Sequence, residues 1–416
     1  MSAVRTTGLS DRAVVETQAR AYPFDSVLIG VAALLTLIGI FVVWDAGYAR
    51  AVRDGAVFPR ELRNQVVSMG AALLVGCVAS RLNVAQVRKL AWPVFWFVVG
   101  LLALLFVPGA AEEIGGARRW FSIGGFLFQP AEIAKVASLV ALSFAMASRK
   151  ERKAVSRRAG FFRGQLLPRL LRAGPLMAVA CAAILIEREP DLGTAAVLMT
   201  SAMAVVWVGG ASRLSLALIV VAGVGLAGAM VAAEPFRVAR LLNHGDRASE
   251  SYRLGTGYQT VISEEAIRRG GVFGVGITKG EAKKRLPVPT TDFAMTTVAE
   301  ETGLVGSLTI LGLIGWLVTR LFVLGRQSGD RFAACLCAGV ATWIAVQSAV
   351  NMTMVNGTIP PIGIPMPFVS NGGSSLVAIW LALGLCTAAL RRPGKEVGDA
   401  PSSHRRRNRR ARLSRH

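Results

Sequence analysis

The chain has 416 residues, of which 53% are hydrophobic and 17% charged, whereas a soluble domain of this size carries roughly a quarter charged residues. Its 47 Lys and Arg against 25 Asp and Glu give a formal charge of +22, but the cations cluster between long apolar runs, a membrane pattern that excludes a soluble nucleic-acid-binding domain. The three histidines (His244, His404, His416) and five cysteines show neither CxxC nor metal-ligand spacing, which excludes a His/Cys metal centre and leaves the cysteines as small packing residues.

A helix needs about 20 apolar residues to cross a hydrocarbon core of about 30 Å. Segments of that kind lie at 26–46, 64–80, 90–108, 130–148, 173–187, 190–210, 213–233, 303–325, 332–351 and 374–390. The fifth is short, because Glu187, Arg188 and Glu189 interrupt it. The first is long and no small-residue cleavage site follows it, so it reads as a span and not as a signal peptide. The expected fold class is therefore all-α: a polytopic integral membrane protein with about ten transmembrane helices.

Basic residues set the orientation. With the N-terminus inside, the inner segments 1–25, 81–89, 149–172, 211–213, 320–331 and 391–416 hold 29 of the 47 Lys and Arg, while the short outer loops hold few. Both termini are expected to be cytoplasmic. The predicted organisation is a cytoplasmic N-terminal segment (1–25), a membrane domain (26–390) with a large extracytoplasmic loop (234–302) between spans seven and eight, and a basic cytoplasmic tail (391–416). The tail's RRRNRRARLSRH reads as a segment attracted to anionic membrane lipids, not as a nucleic-acid arm, since nothing aromatic or folded accompanies it.

Ionisable groups are costly in a bilayer, yet Asp45, Glu132, Lys135, Asp191, Asp292, Glu300 and Glu301 all sit at or near span ends. Under this topology most face outward, and so should a site built from them. In GGARRWFSIGGFLFQPAEIAK (115–135), Pro130 suits the first turn of the fourth helix. Glu132 and Lys135, three residues apart, share a helix face and can pair. That pair either packs the bundle or serves a site. Arg118, Arg119 and Trp120 precede them; an interfacial Trp is commonly an anchor, and adjacent arginines can hold a phosphate. In EREPDLGTA (187–195), Asp191 stands at a helix start, where capping explains a carboxylate.

The 234–302 loop mixes apolar residues with glycines. It then brings Lys283, Lys284 and Arg285 ahead of Asp292, where a solvated loop and an N-cap are the plain explanations. Neither accounts for cations and a carboxylate converging at one membrane edge. In NMTMVNGTIPPIGIPMPFVSNGGSS (351–375), prolines and glycines forbid a regular helix. Irregular backbone at that depth must be buried in protein or line a cavity. Ser370, Gly372, Gly373 and Ser374 could form an anion-binding nest at the next helix start.

Together these segments resemble the SEDS family (shape, elongation, division and sporulation) of RodA- and FtsW-type proteins. The resemblance rests on ARRWF (117–121), QPAEIAK (129–135), EPDLGTA (189–195), GGVFGVG (270–276), TDFAMTTVAEETGLVG (291–306) and GIPMPFVSNGGSS (363–375), in family order. It implies a peptidoglycan glycosyltransferase of the bacterial cytoplasmic membrane. Such an enzyme polymerises lipid II, an undecaprenyl-pyrophosphate-linked disaccharide peptide, beside a class B penicillin-binding protein. It also implies that Asp292, the aspartate of TDF, is essential for catalysis. The chain departs from the family pattern at Val288 and Thr290, where a Glu and a His are common, and at Asn371, where a Tyr is usual.

The residue types fit that chemistry. An acceptor sugar hydroxyl must lose a proton as it attacks the donor's anomeric carbon, and a partly desolvated carboxylate can take it. A lipid pyrophosphate leaves unprotonated where cations stabilise its charge. Asp292 as base would work with Arg118, Arg119, Lys135 and Lys283–Arg285 as candidate cations, and direct displacement would invert the anomeric centre. No cofactor is required, although a divalent cation (Mg or Mn) could take part. The rival readings are a lipid II flippase, which would need ionisable groups on a path to both faces, and a noncatalytic scaffold of the division or elongation machinery.

Overall fold

The computed structural model describes residues 25–391 except Asp54, Gly115, 157–165, Arg247, Ala248 and Ser251. The expected N-terminal segment and basic tail thus fall almost wholly outside the described residues, as does part of 149–172. In chain order the elements are α1 (Ser26–Arg53), α2 (Arg60–Arg81), α3 (Val84–Leu104), β1 (Glu112–Ile114), β2 (Ala117–Ile123), β3 (Phe126–Phe128), α4 (Pro130–Ser156), α5 (Leu166–Arg188), α6 (Leu192–Val208), α7 (Arg213–Ala232), α8 (Pro235–Gly245), α9 (Tyr258–Gly270), α10 (Ala282–Arg285), α11 (Ala294–Gln327), α12 (Arg331–Val355) and α13 (Gly373–Leu390).

Eight of these helices are long and apolar enough to cross a membrane, and the 17-residue apolar α6 is a shorter companion. Each span expected from hydropathy coincides with a helix, α5 taking the interrupted fifth segment. Short polar side chains start many of them. Asn83, Asp191, Ser212 and Asp330 accept from the N–H of Ala85 (2.9 Å), Thr194 (3.0 Å), Ser215 (3.1 Å) and Phe332 (2.8 Å).

The core lies where α4, α6, α12 and α13 meet, and Trp343, Phe332, Leu139 and Leu142 are fully buried there. By contrast α7 buries none of its residues, and Leu214, Val221 and Val224 are each at least two-thirds exposed. Apolar faces turned outward on this scale suit hydrocarbon, not water. With no hydrophobic drive between helices in lipid, close approach depends on small residues. A Cβ on Gly384 of α13 would come 2.3 Å from the carbonyl oxygen of Gly76 on α2.

Three features depart from the expected plan. The 109–129 stretch is not plain loop: β1, β2 and β3 form a small antiparallel sheet in the order β1-β2-β3, so the architecture is α-helical with a β-hairpin appendage. Within 234–302 the described residues form α8, a single π turn (Tyr252–Thr256), α9, α10 and the start of α11. Finally, the helix expected from 303 begins at Ala294 and is broken at Gly303, where φ is +65°. The backbone freed by that break is satisfied from GGVFGVG. Val275 and Gly276 donate to the carbonyls of Glu300 (3.0 Å) and Glu301 (3.1 Å), and Leu304 and Val305 donate to Gly271 (3.0 Å) and Val272 (3.1 Å). A Cβ on Gly274 would stand 2.0 Å from the Glu301 carbonyl oxygen, so this knot needs glycine.

Candidate active site

Loops and helix ends from one end of the bundle converge on Asp292. Arg119 of β2 reaches the α5–α6 turn, Arg240 of α8 reaches the irregular 356–372 segment between α12 and α13, and Arg50 of α1 and Asn371 bind the α10–α11 link that carries Asp292. Asp292 lies in a turn before α11 and is half-buried. Its backbone is fixed from several directions. The buried Asn351 of α12 donates from Nδ2 to the carbonyls of Asp292 (2.8 Å) and Ile364 (2.7 Å), clamping the TDF turn to the 356–372 segment. Two residues earlier, the Thr290 carbonyl accepts from the N–H of Asn371 at 2.8 Å. Arg50 donates to the Pro287 carbonyl. Gly363 faces the carboxylate, since a Cβ there would lie 3.5 Å from Oδ2.

The electrostatics suit a proton acceptor. Burial, then the Asp191 charge, raise the Asp292 pKa to about 6, against a smaller pull downward from Arg119. Arg119 donates from Nε to the Glu189 carbonyl at 2.7 Å and from Nη2 to the Pro190 carbonyl. Because carbonyls and not a carboxylate hold it, its positive charge is not cancelled by direct pairing. Asp191 caps α6 and also accepts from Gln129 Nε2 at 3.3 Å, so capping and field effect coexist. Arg240 of α8 donates to the Pro361 carbonyl at 2.9 Å, and burial beside Arg119 and Arg237 lowers its pKa. Arg237 is ion-paired with Glu187 at 2.6 Å.

Glu189 is buried with neither carboxylate oxygen hydrogen-bonded. Burial, then Asp191, push its pKa to about 9 despite Arg119, so it carries a proton at neutral pH.

The other sequence-predicted residues separate into distinct sets. Arg118 is half-exposed and pairs with Glu113 across the hairpin at 3.1 Å, while the half-buried Trp120 packs beside the Arg119 guanidinium at 5.9 Å. Glu132 and Lys135 are both buried. The Lys135 ammonium donates to Glu132 (2.9 Å) and Gln347 (3.1 Å) and lies 4.5 Å from the Trp343 ring centroid. Gln347 in turn donates to the Pro365 carbonyl at 2.9 Å, so this network braces the same irregular segment that Asn351 clamps.

The run 283–285, read from sequence as one cationic patch, is split. Lys283 is buried and donates to both Asp45 oxygens (2.7 Å each) and to Glu301 (2.6 Å). Lys284 and Arg285 are exposed, paired with Glu281 (2.8 Å) and Glu265 (2.8 Å). Glu300 and Glu301 anchor the loop: Glu300 accepts from the Ala282 N–H at 2.8 Å, and Glu301 from Thr278 (2.8 Å) and Gly280 (3.0 Å).

The expected anion nest is engaged in structural bonds. Ser370 Oγ accepts from the Met366 N–H (2.9 Å), Gly372 donates to Gln65 (3.4 Å), and Ser374 bonds the Gln129 N–H (3.0 Å) and the Leu127 carbonyl (3.1 Å). Gly373 packs on Ser68 of α2, where a Cβ would come 2.4 Å from its hydroxyl.

Sequence reading missed Glu189, Arg240 and Asn351. Glu189 stood inside a quoted motif. Arg237 and Arg240, three apart on an amphipathic helix, signal a shared face, and a lone Asn at the end of an apolar span signals a buried polar contact. Among the described residues no group of three or more His, Cys, Asp or Glu is arranged to hold a metal ion.

The chain matches the family model for the cell cycle proteins FtsW, RodA and SpoVE over residues 25–393. It is 34% identical over 362 residues to the probable peptidoglycan glycosyltransferase FtsW of Thioalkalivibrio sulfidiphilus, covering 85% of this chain and 86% of that protein. The identity to the protein of the same name in Trichlorobacter lovleyi is 30% over 385 residues, 88% and 93% of the two chains. Among solved structures, a chain from work on how a peptidoglycan synthase complex coordinates polymerization and crosslinking superposes with a TM-score of 0.70 at 28% identity, covering 88% of this chain and 98% of that one. The rod shape determining protein RodA of Thermus thermophilus gives a TM-score of 0.63 at 27% identity, covering 88% and 97%.

Proposed function

The chain belongs to the FtsW, RodA and SpoVE family of cell cycle proteins, and from that premise we propose that it is a multi-pass membrane peptidoglycan glycosyltransferase using Asp292 as general base. The observation that carries the reading is the Asp292 carboxylate itself: half-buried at the bundle's end, with a pKa of about 6, beside an Arg119 held by carbonyls. An ionised carboxylate with that proton affinity is matched to accepting a hydroxyl proton near neutral pH.

The substrate is lipid II at the outer face of the cytoplasmic membrane. The acceptor's sugar hydroxyl oxygen bonds to the donor's anomeric carbon, and its proton passes to Asp292. The bond from that carbon to the pyrophosphate oxygen breaks, and the lipid pyrophosphate leaves with the electron pair. Attack and departure on opposite sides invert the anomeric centre. Arg119 and Arg240 are the cations we assign to the pyrophosphate, because Lys283 is enclosed by two carboxylates and Lys284 and Arg285 are paired at the surface. A crosslinking partner of the penicillin-binding class completes the working unit, in keeping with the synthase complex to which the fold is similar.

The test is polymerisation of labelled lipid II by the purified protein with its partner. Asp292→Asn should abolish glycan formation at unchanged melting temperature. A folded Asn variant that polymerises normally would remove Asp292 from the mechanism and restore the flippase and scaffold readings.

A further inference from the structure

At the opposite end of the bundle from Asp292, beyond the far end of α11, a pocket of about 780 Å³ opens between the α2–α3 turn, α4, the α11–α12 turn and the end of α13. That volume is within the range of small-ligand sites. Its lining carries three cations, Arg88, Lys89 and Arg391, against one carboxylate, Asp330. Arg88 packs over the Phe332 ring, 5.0 Å from its centroid, and is ion-paired with Asp330. Asp330 is further occupied as the cap of α12, accepting from the Phe332 N–H at 2.8 Å. The Arg88 Nε is buried and has no acceptor, a donor whose desolvation is uncompensated within the chain. Lys89 and Arg391 are exposed at the pocket. Leu82, Phe144 and Leu390 form an apolar wall beside these charges.

Excess positive charge next to an apolar wall, at the ends of apolar helices, matches an amphiphile with an anionic head. We propose that this pocket binds one anionic phospholipid, its phosphate between Arg88, Lys89 and Arg391 and an acyl chain along the Leu82–Phe144 wall. Basic pockets between transmembrane helices on the cytoplasmic side select anionic headgroups in this way, and the Lys/Arg distribution assigns this end to the cytoplasmic side. The inference is independent of the chemistry at Asp292, because a separate set of residues carries it.

The experiment is native mass spectrometry of the full-length protein, titrated with phosphatidylglycerol, with phosphatidylcholine and, separately, with inorganic phosphate as competitor. One phosphatidylglycerol should be retained per protein, more than about 10-fold more tightly than phosphatidylcholine, and inorganic phosphate at equal concentration should not displace it. The exposed-site double variant Lys89→Gln/Arg391→Gln should weaken retention about 30-fold (about 2 kcal/mol), whereas Asp292→Asn should retain the lipid as the wild type does. Equal retention of the two lipids would overturn the proposal without any variant. So would wild-type retention by the double variant, or displacement by free phosphate, which would mark a site for the phosphate ion alone.

Discussion

The charges around Asp292 can be tested by moving its titration in both directions. Asp191 raises the Asp292 pKa and Arg119 lowers it, with burial as the larger effect, and the outcome is about 6 against an ordinary 3.8. Asp191→Asn removes one negative charge. It preserves the α6 cap, since Asn caps a helix as well as Asp. Because burial contributes most of the rise, Asp191→Asn should lower the Asp292 pKa by less than about one pH unit, or ~1 kcal/mol. A fall of about 0.7 would make Asp292 about 2.5-fold more ionised at pH 5.5 and leave it almost unchanged at pH 8. Arg119→Gln should move the titration upward. The assay is single-turnover polymerisation of labelled lipid II from pH 5 to 9, each variant normalised to its own alkaline plateau so that loss of phosphate binding is divided out. The wild-type rate should rise through an acid limb near pH 6, with the limbs of the two variants displaced to opposite sides. Displacement in one direction for both, or no limb between pH 5 and 7, would refute Asp292 as the base whose field these residues set.

Three further outcomes follow from the same geometry. Glu189 has its pKa raised from 4.5 to about 9; a group that binds protons more tightly when folded stabilises at low pH and loses that contribution as pH rises from about 4.5 to 9. Glu189→Gln should therefore flatten the fall in melting temperature between pH 6 and 9, and an unchanged slope would contradict a buried protonated Glu189. Asn351→Leu leaves the carbonyls of the half-buried Asp292 and the buried Ile364 without their donor, at about 1–3 kcal/mol for the buried one. It should lower both melting temperature and kcat; full kcat in a destabilised protein would show that the clamp does not position Asp292. Lys283→Met strands Asp45 and Glu301 as buried carboxylates, a loss of about 3–5 kcal/mol. Adding Asp45→Asn and Glu301→Gln should recover much of it, as read by thermal unfolding in detergent, and no recovery would mean the triad is not held by charge pairing.

Local physics made much of this protein legible from its residues alone. Apolar runs located the eight helices long and apolar enough to cross a bilayer, because in hydrocarbon each helix must satisfy its own backbone. The prolines and glycines of 351–375 announced broken backbone, and Asp191 and Pro130 announced helix starts. Cost in a bilayer drew attention to seven ionisable residues at span ends, and the family resemblance, not that cost, implied the role of Asp292 among them.

What tertiary structure alone decided was which charges are spent and which remain available. Lys283, Lys284 and Arg285 are adjacent in sequence, yet one is sealed between Asp45 and Glu301, 238 and 18 residues away, and the others are paired at the surface. Arg119 and Arg240 look no different from their neighbours in sequence. The α5–α6 turn and the 356–372 segment hold them in place by offering carbonyls. The Gly303 break was equally hidden, since its cost is cancelled by backbone donors and acceptors from 271–276 that only the folded chain brings near. Coulomb energy and hydrogen bonding fall off over a few ångströms, so they are set by proximity in space, which a pattern along the chain does not encode.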